Sequence, residues 1–334
     1  MRYIGNKTKL LPFIEECFLE YHEDLSRTTM CDLFAGTCSV SSYFKPKMAS
    51  VMSNDLEDYS VALAKNYLLN DGPPVGYEKE IERLNCLEPI SGKFSKAFSP
   101  DGDQERKFFT KHNAMKINAI RKELDSIEDL SMYNFLLCSL LESADKYSNT
   151  TGVYGAYLKS FNGRSSQEFR LESYIPNFGK GAVHQGFAEE VVSSLKGDIL
   201  YLDPPYNNRQ YSSNYHVLNC LINYLDFEIK TKQDQEGAIK ESKTGLTTNT
   251  NISSFSRKRE AANAFDKLLS RSSGFKTVFL SYNDEGIMSL EEIENICKKY
   301  GKYRVFEKSH KRYKSNNSDN DKKNVSEYIH AIER

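Results

Sequence analysis

The chain has 334 residues, 39% apolar and 27% charged, a composition that lets a core form without disulfides or metals. Lys plus Arg number 45 and Asp plus Glu 46, for a formal net charge of −1; this excludes a uniformly basic protein but not a basic face on a neutral total. The seven cysteines are odd in number and form no CxxC pair, and the six histidines show no HExxH or HxxxH spacing, so no disulfide framework and no metal site are expected. No apolar run reaches the ~18 residues of a membrane span, and the first residues lack a signal peptide's apolar core. A cytoplasmic protein with no membrane association is the expectation.

In chain order, Leu10, Leu11, Ile14, Phe18 and Leu19 share a face of a helix over 7–22. Residues 28–34 read as a buried strand ending at Ala35-Gly36-Thr37, followed by a helix near 38–45. A second strand (48–54) ends at Asn54-Asp55, before a helix over 58–70. This is the β-turn-α-β-α opening of a doubly wound sheet. A short helix near 77–85 and two long ones (104–124 and 127–145) follow, then an aromatic and polar stretch, 146–181. The sheet resumes with a strand at 182–185, a helix at 187–195 and the strand DILYL at 198–202. A helix (215–225), a long polar loop (228–256), a helix (258–271), a strand (275–281), a helix (289–300) and two strands (302–309 and about 325–332) complete the chain.

DILYL runs into Asp203-Pro204-Pro205-Tyr206, and ligands of open α/β sheets bind at such strand ends. Proline has no N–H and fixes φ, so this loop is stiff and offers carbonyls without donors; the Asp carboxylate is a further acceptor. Two acceptors held rigidly suit a substrate amino group such as the exocyclic amine of adenine, whose lone pair they would free from ring conjugation, and Tyr206 offers a face for stacking. A strand running into a Pro-rich turn is the plainer alternative. The small residues of Asp32-Leu33-Phe34-Ala35-Gly36-Thr37 allow close backbone approach to a ligand, or simply a tight turn. Asp55 is placed to grip ribose hydroxyls, or to cap a helix.

Tyr3-Ile4-Gly5-Asn6-Lys7, then DLFAGTCS, Asn54-Asp55 and DPPY, in that order, resemble the Dam-like class of adenine-N6 DNA methyltransferases. The resemblance covers roughly 1–70 and 182–334. It implies an α/β, Rossmann-like class I methyltransferase sheet, mostly parallel with an antiparallel C-terminal hairpin strand, and a helical target-recognition insertion. The implied domains are 1–74 with 182–334 for catalysis and 75–181 for recognition. The implied cofactor is S-adenosylmethionine, with Phe34, Ala35, Gly36 and Thr37 lining its methionine end, Tyr3, Gly5, Lys7 and Asp32 assisting, Asp55 on the ribose and Phe187 near the adenine. Asp203 and the Pro204 carbonyl would hold the target amine, with Pro205 stiffening the loop and Tyr206 stacking on the flipped base. Asn208, Arg209 and Tyr211 after DPPY, the cluster Arg257-Lys258, and Lys311, Arg312 and Lys314 in a basic C-terminal stretch are candidates for contacting DNA.

The implied partner is double-stranded DNA, bound by a monomer encoded by a prokaryote or phage, with a separately encoded restriction endonuclease alongside. Two positions depart from the family pattern: Cys38 stands where a second glycine is usual, and Gly186 where an acid is usual. A helical φ/ψ at Cys38 would leave the loop unchanged. A cytosine-N4 methyltransferase and a degenerate fold that only binds DNA are the alternatives; Ser in place of Asp203 marks the former.

Overall fold

A computed structural model describes residues 1–234, 237–248, 250–311 and 324–334. Nine strands lie among them: β1 (Thr29–Asp32), β2 (Ser50–Asp55), β3 (Gly181–Gln185), β4 (Gly197–Leu202), β5 (Thr231–Gln233), β6 (Ile239–Glu241), β7 (Phe275–Asn283), β8 (Lys302–Lys311) and β9 (Asn324–Glu333). The chain packs as two compact units, one built from Lys7–Leu56, Asn177–Gln210 and Ile252–Arg334, the other from Met1–Asn6, Glu57–Pro176 and Tyr211–Asn251. Residues 1–6, 57–74 and 211–251, expected in the catalytic part, thus pack in the second unit, and 177–181, expected in the insertion, pack in the first.

The first unit is a seven-stranded sheet in the order β3-β2-β1-β4-β7-β9-β8. The first five strands run parallel, and β9 lies antiparallel between β7 and β8. Residues 199–202 of β4 are at most 1% exposed, as expected of a central parallel strand covered on both faces. Alternation divides its side chains. Leu200 and Leu202 join Val278, Leu280, Phe265 and Leu268 in one cluster. On the other face Phe18 packs against Tyr201 and Phe279, at ring-centroid distances of 6.1 and 4.7 Å. The expected α/β sheet with its antiparallel C-terminal hairpin is present.

The second unit is helical around Leu130–Tyr147, fourteen of whose eighteen residues are buried. A helix buried nearly all round is a core element rather than a surface one. Helices Tyr77–Asn85 and Lys111–Leu124 adjoin the same core. The expected helix over 104–124 starts only at Lys111, because the Thr110 side chain accepts from the Asn113 N–H at 3.2 Å and caps it there. A short helix, Lys93–Phe98, lies upstream, unforeseen, its Phe94 and Phe98 fully buried. The expected loop at 228–256 contains the hairpin β5–β6, anchored where buried Arg106 meets Glu241 at 2.7 Å and the Ala97 carbonyl at 2.9 Å. No helix among the described residues is long and apolar enough to cross a membrane.

Candidate active site

Asp203 immediately follows β4 in the sheet unit. The loop that carries it is pinned by the Ile287 N–H, which donates to the Tyr206 carbonyl at 3.0 Å. The Lys7 ammonium lies 3.2 Å from the Asp203 carboxylate and 3.0 Å from that of Glu327 on β9, and donates to the Tyr206 hydroxyl oxygen at 2.8 Å. Glu327 also accepts from the hydroxyls of Tyr206 and of Ser281 on β7, each at 2.7 Å. One cation and one phenol therefore knit two carboxylates together at the carboxyl end of the sheet. The side chains of Lys7 and Glu327 are each 4% exposed, whereas Asp203 keeps 18%. Asp203 is thus the most exposed of the three charged groups.

Burial, reinforced by Glu327 and opposed by Lys7, pushes the Asp203 carboxyl up to about 6. Burial also disfavours charge on Glu327, but Lys7 and the two hydroxyls outweigh it and hold that carboxyl below its usual range. Burial disfavours the Lys7 ammonium as well; the paired carboxylates more than offset it and raise its pKa. Burial, with Asp203 and Glu327, keeps Tyr206 firmly protonated and therefore a donor. Its ring is half-buried beside Tyr282, with centroids 4.7 Å apart.

The loop after β1 is shaped from its neighbours. The Ala35 N–H donates to the Asn54 carbonyl at 3.0 Å and the Gly36 N–H to the Asp55 carboxylate at 2.7 Å. Gly36 has φ +54°. Cys38 has φ +59° and ψ +21°. This corrects the helical geometry expected of Cys38: it stands in the left-handed region that glycine enters freely and other residues enter at a cost of roughly 1–2 kcal/mol. The Asn54 side-chain amide donates to the Leu33 and Gly186 carbonyls, both at 3.1 Å, and so links the loops after β1 and β3. Asp55 binds this loop; the following helix, Asp58–Ala64, has Glu57 at its N-cap.

Asp32 is 1% exposed and accepts from the Ser41 hydroxyl at 2.7 Å. Burial, with Asp203 and Asp55, raises its carboxyl to about 7. Phe34 is half-buried against Phe255, Thr37 is 8% exposed, and Phe187 leaves 39% of its surface open. Phe187 follows Gly186, whose N–H donates to the Asp55 carbonyl at 3.2 Å. A Cβ at 186 would lie 2.7 Å from Val191 Cγ2, so a side chain in this position would require Val191 to shift.

Tyr3, Gly5 and Tyr211 belong to the helical unit. Tyr3 stacks on Tyr215 at 4.7 Å and approaches Tyr211 at 5.3 Å. Gly5 has φ +79°, which suits glycine. Asn208 and Arg209 are exposed in the sheet unit, as are Arg257 and Lys258; Arg257 pairs with Glu260 at 2.8 Å. In the basic C-terminal stretch Arg304 pairs with Glu20 at 2.8 Å and Lys302 with Glu333 at 3.6 Å. The backbone of Lys311 ends β8, while Arg312 and Lys314 lie outside the described residues.

The sequence reading did not single out Glu327 or the side chain of Asn54. Glu327 meets Lys7 across 320 positions of chain, and no local pattern in its strand sequence, EYIHAI, marked it.

Residues 3–296 match the family model for the D12 class N6 adenine-specific DNA methyltransferases. The chain is 35% identical over 345 residues to the Type II methyltransferase M.NlaIII of Neisseria lactamica, covering 100% of this chain and 99% of that one. It is also 35% identical over 344 residues to the Type II methyltransferase M.CviAII of Paramecium bursaria Chlorella virus 1, covering 99% and 97%. With the Type II methyltransferase M.FokI of Planomicrobium okeanokoites it shares 34% identity over 357 residues, all of this chain and 53% of that one. The methyl donor is S-adenosylmethionine, the acceptor adenine N6 in DNA, and the cytosine alternative falls away. The chain belongs to the D12 class of N6 adenine-specific DNA methyltransferases.

Proposed function

We propose that Asp203 and the Pro204 carbonyl receive the two N–H groups of the target adenine, and that the chain methylates a flipped adenine in a specific duplex sequence. The amine is unreachable inside the base stack, so the base must leave it. The observation that carries this reading is the partial exposure of Asp203 above a buried Lys7–Glu327 pair. Such an arrangement keeps an acceptor fixed and pointed at substrate without a mobile counterion. Pro205 keeps the loop stiff, and the Tyr206 ring lies beside the amine site for stacking.

The residues at the ends of β1 to β3 have the chemistry to hold S-adenosylmethionine. Asp55 is an acceptor suited to a ribose diol, Phe187 is an open aromatic surface beside it, and after Phe34 the small side chains of Ala35, Gly36 and Thr37 form a tight turn. Tyr3, Gly5 and Lys7 precede the first helix of the sheet unit, and Asp32 supports the turn from beneath through Ser41. When bound, the cofactor supplies an electrophilic methyl group. The protein's contribution is to free the amine lone pair, aim it and exclude water. The amine proton can pass to solvent once methylation has made it acidic.

Residues 75–181 serve target recognition in this reading, with 1–74 and 182–334 for catalysis. Asn208, Arg209, Tyr211, Arg257, Lys258, Lys311, Arg312 and Lys314 meet DNA. The enzyme acts as a monomer in the cytoplasm, and a separately encoded endonuclease accompanies it; the support is its likeness to relatives named Type II methyltransferases. Asp203→Ala tests the central assignment. Transfer of a tritiated methyl group to DNA should vanish while calorimetry still shows S-adenosylmethionine binding; normal turnover would defeat it.

A further inference from the structure

Glu327 lies on β9 in register with Asn283 of β7, and its residue is only 3% exposed. A buried carboxylate is expensive unless it is paired and its lone pairs are filled. Here a single oxygen accepts from Lys7, Tyr206 and Ser281. The sheet does not require any of these polar groups: an apolar side chain at 327 facing an apolar one at 281 would hold β7 and β9 together at lower cost. What the carboxylate does accomplish is local. It fixes the ammonium that reaches Asp203 and the phenol of the same DPPY loop.

We infer that Glu327 is a positioning residue for methyl transfer: it holds Lys7 and Tyr206 so that Asp203 is kept in register to receive the amine. This rests on the reading of Asp203 given above. Asp203 is faced by Lys7 from the N-terminal segment, Glu327 from β9, Asp32 from β1, and Tyr201 and Tyr206 from its own strand and loop. Glu327 is the anion across the shared cation. Its charge competes with Asp203 for Lys7, so removing that charge hands Lys7 wholly to Asp203 and lowers the pH at which Asp203 ionises.

Two variants separate geometry from charge. Glu327→Ala removes the anchor; kcat should fall about tenfold or more, with KM for S-adenosylmethionine within about twofold. Glu327→Gln keeps an acceptor for the two hydroxyls but drops the charge. It should recover most of kcat at about pH 8, and the acid limb of its kcat/KM profile should move to lower pH by about half a unit or more. A merely structural role would lower the melting temperature without moving that limb. An unmoved limb in Glu327→Gln, or undiminished kcat in Glu327→Ala, overturns the inference. Asp203→Ala, run alongside, keeps the two claims apart. Turnover surviving in that variant defeats the reading of Asp203, whereas an unmoved limb in Glu327→Gln with Asp203→Ala inactive defeats only the role of Glu327.

Discussion

Replacing Lys7 by methionine, of nearly equal length and no charge, should turn the polar cluster from a stabilising element into a liability whose size depends on pH. The substitution leaves two carboxylates facing each other without the cation now 3.0 and 3.2 Å away. Breaking a buried ion pair costs roughly 3–5 kcal/mol. Asp203 is 18% exposed, so water compensates one of the two orphans, and a loss of about 3 kcal/mol near neutrality is expected. The sign with pH follows from Glu327. In the native protein its pKa is depressed, so its contribution is present above its unfolded value and lost as pH falls below it. In the variant, burial without a cation raises that pKa above the unfolded value, and the variant gains stability as pH falls through it. The gap between the two proteins should therefore be about 3 kcal/mol near pH 8 and shrink by roughly half near pH 5.5. Urea unfolding, followed by circular dichroism and tyrosine fluorescence at both pH values, measures it. A gap under about 1 kcal/mol, or one unchanged between the two pH values, would refute the account of the cluster.

Two further expectations concern other parts of the sheet unit. Cys38→Gly relieves left-handed strain but empties a fully buried site and loosens the unfolded chain, so stability should change by no more than about 1 kcal/mol. Cys38→Val, β-branched and larger, should lose about 2–4 kcal/mol in the same denaturation assay. If Lys258 meets a phosphate, Lys258→Ala should reduce the slope of log K against log salt by about 0.9 in a fluorescence-anisotropy titration with duplex DNA. An unchanged slope would remove it from the interface.

The sheet was legible because its strands announce themselves locally. DILYL is a largely apolar run that must be buried on both faces, and the prolines after β4 stop that strand where the structure stops it, whereas β1 ends at Asp32, two residues before the expected end. Asp203 was legible for the same reason, since a strand end followed by two prolines is a local pattern. Glu327 was not, because its meaning lies in Lys7, Tyr206 and Ser281, and no local period brings those four together. Lys93–Phe98 escaped because six residues carry only one i, i+4 apolar pair, too little to show a helical period. Cys38 was misjudged for a different reason: a residue's type is in the sequence, but the sign of its φ is set by the turn that the Asn54 carbonyl and the Asp55 carboxylate pull into place.

The chain passes between its two compact units five times, at 6/7, 56/57, 176/177, 210/211 and 251/252. Two of these crossings border the polar cluster directly: Lys7 is the first residue after one, and the DPPY loop is followed by another within a few residues. Neither unit is a contiguous cassette. A helical unit grafted from a relative would need splices at all five junctions, two of them within a few residues of Lys7 and Tyr206. Changes of target sequence in this architecture are therefore more readily made by substitutions inside the helical unit than by wholesale exchange, since each exchange would also reset the groups around Asp203.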